Sequence, residues 1–378
     1  MISHRVSRWL LALAVVAFAA GLVFFTQQTA QAASDAVRLC GTVLIPSLFP
    51  FFVVSSVTVQ TGLASRAGRM LQKPMSRLFG VPGVCASAYL LGLIGGYPVG
   101  ARCAVSLYEQ RACSRRDAER LLAFCNNSGP AFILGAVGTM MLGSPKIGIL
   151  LYGVHVVSSL LVGLTMRLFR RDCACERQTL RERAPVPLRE AFTSAVTTSF
   201  SGMLNVCAFV IFFAVAIELL GASGILPLLA RPLTLAGLSS DSASGLLSGL
   251  LEVTSGISTL AASSCGGVLR LAGTALLLGW AGLSVHCQVL NLIGESGLSV
   301  TPYLLGKALH GVFSCAIVRG MAAVFPAAVS VFDFATPTPI FYPVANLRGY
   351  LLATLCLCAF YALVLGVLWY CSKPKNVV

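Results

Sequence analysis

The sequence predicts an all-α polytopic membrane protein made of inverted structural repeats, with re-entrant hairpins and broken transmembrane helices. Three observations carry that expectation: charge is scarce, apolar runs reach membrane-spanning length, and four of those runs are interrupted by polar or helix-breaking residues. Of the 378 residues, 57% are hydrophobic and 11% charged, and the mean hydropathy is +0.85. A soluble domain is about one-quarter charged, so these charges are too few to cover a surface in water. An ordinary cytosolic enzyme, a secreted disulfide scaffold and a disordered chain are excluded. The net charge of +14 reports cytoplasmic loops, where Lys and Arg gather because they resist translocation. Nucleic acid is not an expected partner; the lipid bilayer is. The fourteen cysteines read as free thiols. Cys40, Cys85, Cys207, Cys287 and Cys315 lie in apolar runs, where a thiol packs as a small hydrophobe. Cys173 and Cys175 form a lone C-x-C with no second pair to complete a zinc site.

Apolar stretches fall at about 9–27, 40–60, 84–108, 121–142, 147–169, 200–221, 243–265, 271–293, 303–325 and 350–371. Runs near twenty residues cross a hydrocarbon core of about 30 Å as helix. The first follows Arg5 and Arg8 and precedes Thr29-Ala30-Gln31-Ala32-Ala33, which resembles a signal-peptidase site. Residues 1–33 therefore read as a membrane anchor or signal-like helix, with residue 33 outside. Segment 84–108 has Arg66, Arg69, Lys73 and Arg77 before it and Arg111, Arg115, Arg116 and Arg120 after it. Both flanks are then cytoplasmic, and one crossing cannot have both ends on one side. The segment is expected to dip in and return.

Continuing the path, 121–142 goes out and 147–169 returns, which places the basic loop 170–190 inside. Segment 200–221 goes out, and 243–265 is read as a second re-entrant segment, entered from outside. The external loop 326–349 and the C-terminal helix and tail 350–378 complete the chain, with Lys373 and Lys375 inside. On this path 20 of the 27 Lys and Arg residues are cytoplasmic, Lys307 among them. Arg38, Lys146, Arg231, Arg270, Arg319 and Arg348 fall outside, and Arg102 lies in the first hairpin.

The halves also align with each other. Lys73-Pro74 corresponds to Arg231-Pro232, Leu78-Phe79-Gly80 to Leu235-Ala236-Gly237, Gly92 to Gly249, and His155 to His310, each His near a serine (Ser159, Ser314). Two repeats, 36–169 and 191–325, begin on opposite sides and are expected to be inverted. That plan recurs in secondary transporters, with substrate held near the midplane at the repeat interface.

Four interruptions locate the candidate site. The first, Gly92 to Arg102, contains Gly95, Gly96, Tyr97, Pro98 and Gly100, and cannot remain continuous helix. Backbone that leaves the helix at membrane depth lines a cavity or is buried in protein. A half-helix starting near Pro98 would aim its N-terminus at an anion. Arg102 would then supply a carboxylate fork, or else snorkel to the surface. The second is Phe124-Cys125-Asn126-Asn127-Ser128-Gly129-Pro130, whose amides and hydroxyl suit a polar ligand or cap the break themselves. The third, from Glu252 through Thr254, Ser255 and Gly256 to Thr259, suits sodium coordination or proton carriage; as a bland alternative, Glu252 sits at a hairpin rim. The fourth is Ser284-Val285-His286-Cys287-Gln288. His286 can carry a proton, although an interior, satisfied histidine accounts for it as well. Packing symmetry accounts equally for His155 and His310. No phosphate loop, H-E-x-x-H or nucleophile elbow occurs, so an enzyme is not expected.

The stretches Gly95-Gly96-Tyr97-Pro98-Val99-Gly100-Ala101-Arg102 and Phe124-Cys125-Asn126-Asn127-Ser128-Gly129-Pro130, with Leu142-Gly143 and His155, resemble the YlbJ-type sporulation integral membrane proteins. The resemblance covers roughly 40–325. It implies two nucleoside-recognition (gate) domains, a fold distantly related to concentrative nucleoside transporters, and a stage V sporulation role in moving dipicolinic acid across the outer forespore membrane. The reading is therefore a secondary transporter of a small organic anion. A nucleoside transporter of the same fold and a non-transporting membrane scaffold are the alternatives. No cofactor is expected; a coupling ion, sodium or proton, and a homo-oligomer are left open.

Overall fold

A computed structural model describes residues 4–61, 71–168 and 186–324, all-helical with connecting turns. The loop residues 169–185, with Cys173 and Cys175, lie outside the described residues. So do Arg66, Arg69, the external loop and the C-terminal helix. Helix α1 (His4–Phe24) turns at Phe25 into α2 (Thr26–Leu39), which runs through a π-helical turn (Cys40–Leu44) into α3 (Ile45–Gln60). The apolar run at 40–60 thus begins as helix at Thr26, and Thr29–Ala33 lies inside α2. Packing overrides composition here: α2 and α3 both lie along the long α8 (Leu188–Ala222), which itself starts twelve residues before the apolar run at 200.

The segment 84–108 is two helices. α4 (Cys85–Gly95) and α5 (Val99–Glu109) pack against each other across the turn Gly96-Tyr97-Pro98, in which the Tyr97–Pro98 peptide is cis. Glycine is required on the facing sides of this hairpin, because a Cβ at Gly92 or Gly100 would overlap the carbonyl oxygen of Cys125. That carbonyl ends α6 (Arg115–Cys125), which Ser114 caps by accepting from Asp117 N. The chain is then non-helical from Asn126 to Gly129 before a π-helical segment (Ala131–Met141) and α7 (Pro145–Leu168).

After α8 the same order recurs. α9 (Ile225–Leu235) precedes a hairpin of α10 (Ser240–Leu251) and α11 (Val253–Ala262), hinged at Glu252 alone. A broken helix follows, α12 (Gly267–Trp280) and α13 (Gly282–Ser296), and then α14 (Thr301–Val324). The correspondence reaches single residues. Gly80 and Gly237, matched in sequence, both take a left-handed conformation (φ 63° and 97°) just before a hairpin. His155 and His310 meet with their rings tilted by 37°, centroids 4.2 Å apart, and His310 Nε2 donates to the His155 carbonyl at 2.9 Å.

The fourth interruption falls elsewhere than expected. The helix breaks at Ala281 and Gly282, both at φ 82°, so Ser284 to Gln288 are the opening turns of α13. Lys307 is also displaced from its expected place: it sits two turns into α14 and is 1% exposed, not in a cytoplasmic loop.

Among the described residues, five helical stretches are long and apolar enough to cross a membrane: Thr26–Val54, Pro145–Leu168, Leu188–Ala222, Gly267–Ser296 and Thr301–Val324. The core is shared between the halves. The first hairpin packs with Val285, Val289 and Tyr303, and the second with Ile133, Leu151 and Val154. One end of the molecule is bound by its charges. Arg115 donates to Gly297 O, Glu119 accepts from Ser299 N, Arg120 donates to Gly80 O, and Arg167 donates to Arg77 O.

Candidate functional site

The tips of both hairpins reach one cavity of about 70 Å³. Gly95, Gly96 and Tyr97 come from the first hairpin and Glu252, Val253 and Thr254 from the second. Gly129 from the α6 break and Ser284 and Gln288 from α13 complete the polar side. The opposite wall is apolar, from Leu44, Leu48, Phe51 and Phe52 on the first long helix and Val206, Phe209 and Val210 on α8. Three of the four sequence interruptions thus present side chains to one space, and the second presents its glycine backbone. Gly96, at φ 73°, lies so close to Gly129 that a Cβ would come within 3.1 Å of its nitrogen. A side chain on either residue would separate the tip from the break.

Glu252 takes an extended backbone at the start of α11 and turns its carboxylate onto that helix. Oε1 accepts from Thr254 N at 2.9 Å and Oε2 from Ser255 N at 2.6 Å. Its two oxygens satisfy orphan amides at the positive end of the helix dipole. The second half-helix therefore already has its own cap. Gly256 is a packing residue, since a Cβ there would overlap the backbone of Gly249.

Arg102 is corrected by the structure. It is exposed and does not line the cavity. Helical spacing explains this: Gly100, Ala101, Ala104 and Val105 form the packed face of α5, and residue 102 projects about 100° away from 101. Gly100 serves the hairpin's packing against Cys125, and Pro98 starts α5.

Behind Tyr97 lies a second polar group of residues that the cavity does not reach. Asn126, Asn127 and Ser128 are all buried. Asn127 Nδ2 donates to Phe124 O at 2.9 Å, and Ser128 N donates to His155 Nε2 at 3.0 Å. Lys307 donates to Asn126 O at 3.1 Å and to the Tyr97 hydroxyl at 3.4 Å, and the Tyr97 hydroxyl donates to Leu278 O at 2.9 Å. His286 is an interior residue, with Nδ1 on the Tyr303 hydroxyl at 2.8 Å and its ring edge-on to Trp280. Lys307 is the residue that sequence reasoning missed. Its distance from the nearest Arg-rich loop, in an otherwise apolar helix, was the available signal. No cluster of metal-ligating side chains occurs among the described residues.

The family model "Gate: Nucleoside recognition" matches residues 42–202, which span the first hairpin and its break. The chain is 30% identical over 324 residues to the sporulation integral membrane protein YlbJ of Bacillus subtilis, covering 79% of each chain. No solved structure matches. The matches are to a gate family and an integral membrane protein, neither of them a known enzyme family. With its apolar helices and its gate domain, the protein belongs to the YlbJ family of sporulation integral membrane proteins.

Proposed function

We propose that the protein is a secondary transporter that moves a small organic anion, dipicolinate, across the outer forespore membrane by alternating access between two inverted repeats. The observation that supports this most directly is the convergence of both hairpin tips on one cavity between them and the long helices. Two hinged tips meeting at one space give a ligand simultaneous contact with both repeats, which is what alternating access requires. The contacts at the charged end support the inversion. The feet of the first hairpin lie beside Gly80 and Arg115, at the end where Gly297 and Ser299 also sit. The second hairpin enters from the other end of α12.

Gly95, Gly96, Tyr97, Thr254, Ser284 and Gln288 would hold the ligand, with Glu252 fixing the second tip. One observation favours the nucleoside reading: the Glu252 carboxylate and the Thr254, Ser284 and Gln288 side chains would suit a neutral, hydroxyl-rich ligand. Purified protein in liposomes separates these readings. Dipicolinate should accumulate or exchange, with or without a sodium or proton gradient, while uridine should not. Uridine flux without dipicolinate flux would establish the nucleoside reading, and flux of neither would leave a scaffold.

A further inference from the structure

Lys307 has no role in the cavity as described, yet it is one of the most deeply buried groups in the molecule. A lysine ammonium carries three donors and a full charge. Its two hydrogen-bond partners, Asn126 O and the Tyr97 hydroxyl, are neutral. The ammonium also stands 5.0 Å from the centroid of the Tyr97 ring. Among the described residues, ion pairs join Arg115 to Glu119 and Arg120 to Asp117, and none reaches Lys307. A buried cation without a counter-charge is costly.

The buried side-chain atoms that lack partners in this group include two donors and a hydroxyl. Asn126 Nδ2, Ser128 Oγ and His155 Nδ1 are buried without a hydrogen bond. His155 Nε2 accepts from Ser128 N, so the ring proton is on Nδ1, where it is a donor. The amide oxygens of Asn126 and Asn127 are left without a partner as well. A cation beside unmatched donors lacks a negatively charged oxygen ligand.

We propose that Lys307, Asn126 and Ser128 form a carboxylate-binding site directly behind Tyr97, which takes a carboxylate of the transported anion. This rests on the transporter reading above and moves the anion's positive partner from Arg102 to Lys307. Tyr97 stands between the cavity and Lys307, since it lines the cavity and its hydroxyl accepts from Lys307. A ligand with two carboxylates can thus place one behind Tyr97 while its ring rests against the apolar wall.

The test uses the full chain in detergent and in liposomes, with dipicolinate, benzoate and uridine as probes. Wild type should bind both carboxylates. Lys307→Met should weaken that binding about tenfold or more, the loss expected for a charge-assisted hydrogen bond, while Lys307→Arg retains most of it. Asn126→Ala and Ser128→Ala should weaken carboxylate binding severalfold with little change in melting temperature, because neither side chain makes a well-formed hydrogen bond in the free protein. These two variants carry the test if Lys307→Met does not fold. Carboxylate affinity within twofold of wild type in Lys307→Met overturns the site, as does a lowered melting temperature with unchanged affinity in the other two. If wild type and Lys307→Met move dipicolinate equally, the site falls and the transporter reading stands. If wild type binds no carboxylate, both fall.

Discussion

Glu252 shows how one side chain can hold a hairpin tip and face a cavity at the same time. Both carboxylate oxygens accept from the first turn of α11, so its removal leaves two buried amides unpaired. Glu252→Ala should destabilise the protein by about 1–2 kcal/mol, in the upper range for a lost N-cap. Glu252→Gln, which keeps one acceptor oxygen, should lose roughly half of that. Thermal unfolding in detergent measures both, and an unchanged midpoint in Glu252→Ala would show that the cap contributes nothing. The sequence marked Glu252 as functional because a carboxylate inside an apolar run is expensive. It could not reveal that the carboxylate is matched by its own helix, because capping depends on the extended backbone at one residue.

At the scale of elements, the seam between the first hairpin and the α6 break is backbone against backbone. Gly92 and Gly100 both face the Cys125 carbonyl, and no flexible side chain can move aside there. Gly100→Ala should cost about 3 kcal/mol or more, at or beyond the upper end for overpacking, and should abolish a monodisperse gel-filtration peak. Gly153→Ala, in α7 with nothing near its Cβ, should leave that peak unchanged. Recovery of Gly100→Ala at wild-type yield would contradict the close approach. Glycine and proline made the first two breaks legible, since they are poorly tolerated inside a helix, and a carboxylate in an apolar run marked the third. The Ala281–Gly282 break was less legible. An alanine at φ 82° has no compositional signature, and the polar cluster three residues later drew attention away from it. Lys307 was hidden for a related reason, because an isolated lysine near the start of an apolar run reads as a snorkelling residue. Its burial depends on contacts with Tyr97 and Asn126, roughly two hundred residues earlier in the chain.

For the whole molecule, the charge distribution predicts the path of the chain. The side-chain contacts that tie residues 77–80, 115–120, 167 and 297–299 together lie at one end, as the basic flanks required. With the protein expressed in the plasma membrane, an epitope inserted between Gly143 and Ser144, or between Ser223 and Gly224, should be reached by antibody from outside intact cells. One inserted between Arg111 and Ala112 should be reached only after permeabilisation. Equal access at all three would refute the proposed orientation. A basic tally can be read from sequence because translocation acts on each loop separately, whereas the pairing of hairpin tips requires the folded chain.

Helix α8 has 35 residues and is therefore about 52 Å long, against a hydrocarbon core of about 30 Å. It must lean or project, and the angle at which it leans depends on the surrounding bilayer. Phe192, Phe200 and Phe212 on this helix are exposed, while Val206, Phe209 and Val210 wall the cavity. The helix that takes up hydrophobic mismatch is thus also a wall of the site. Acyl-chain length in the host membrane consequently acts on the width of the cavity, without any ligand being bound.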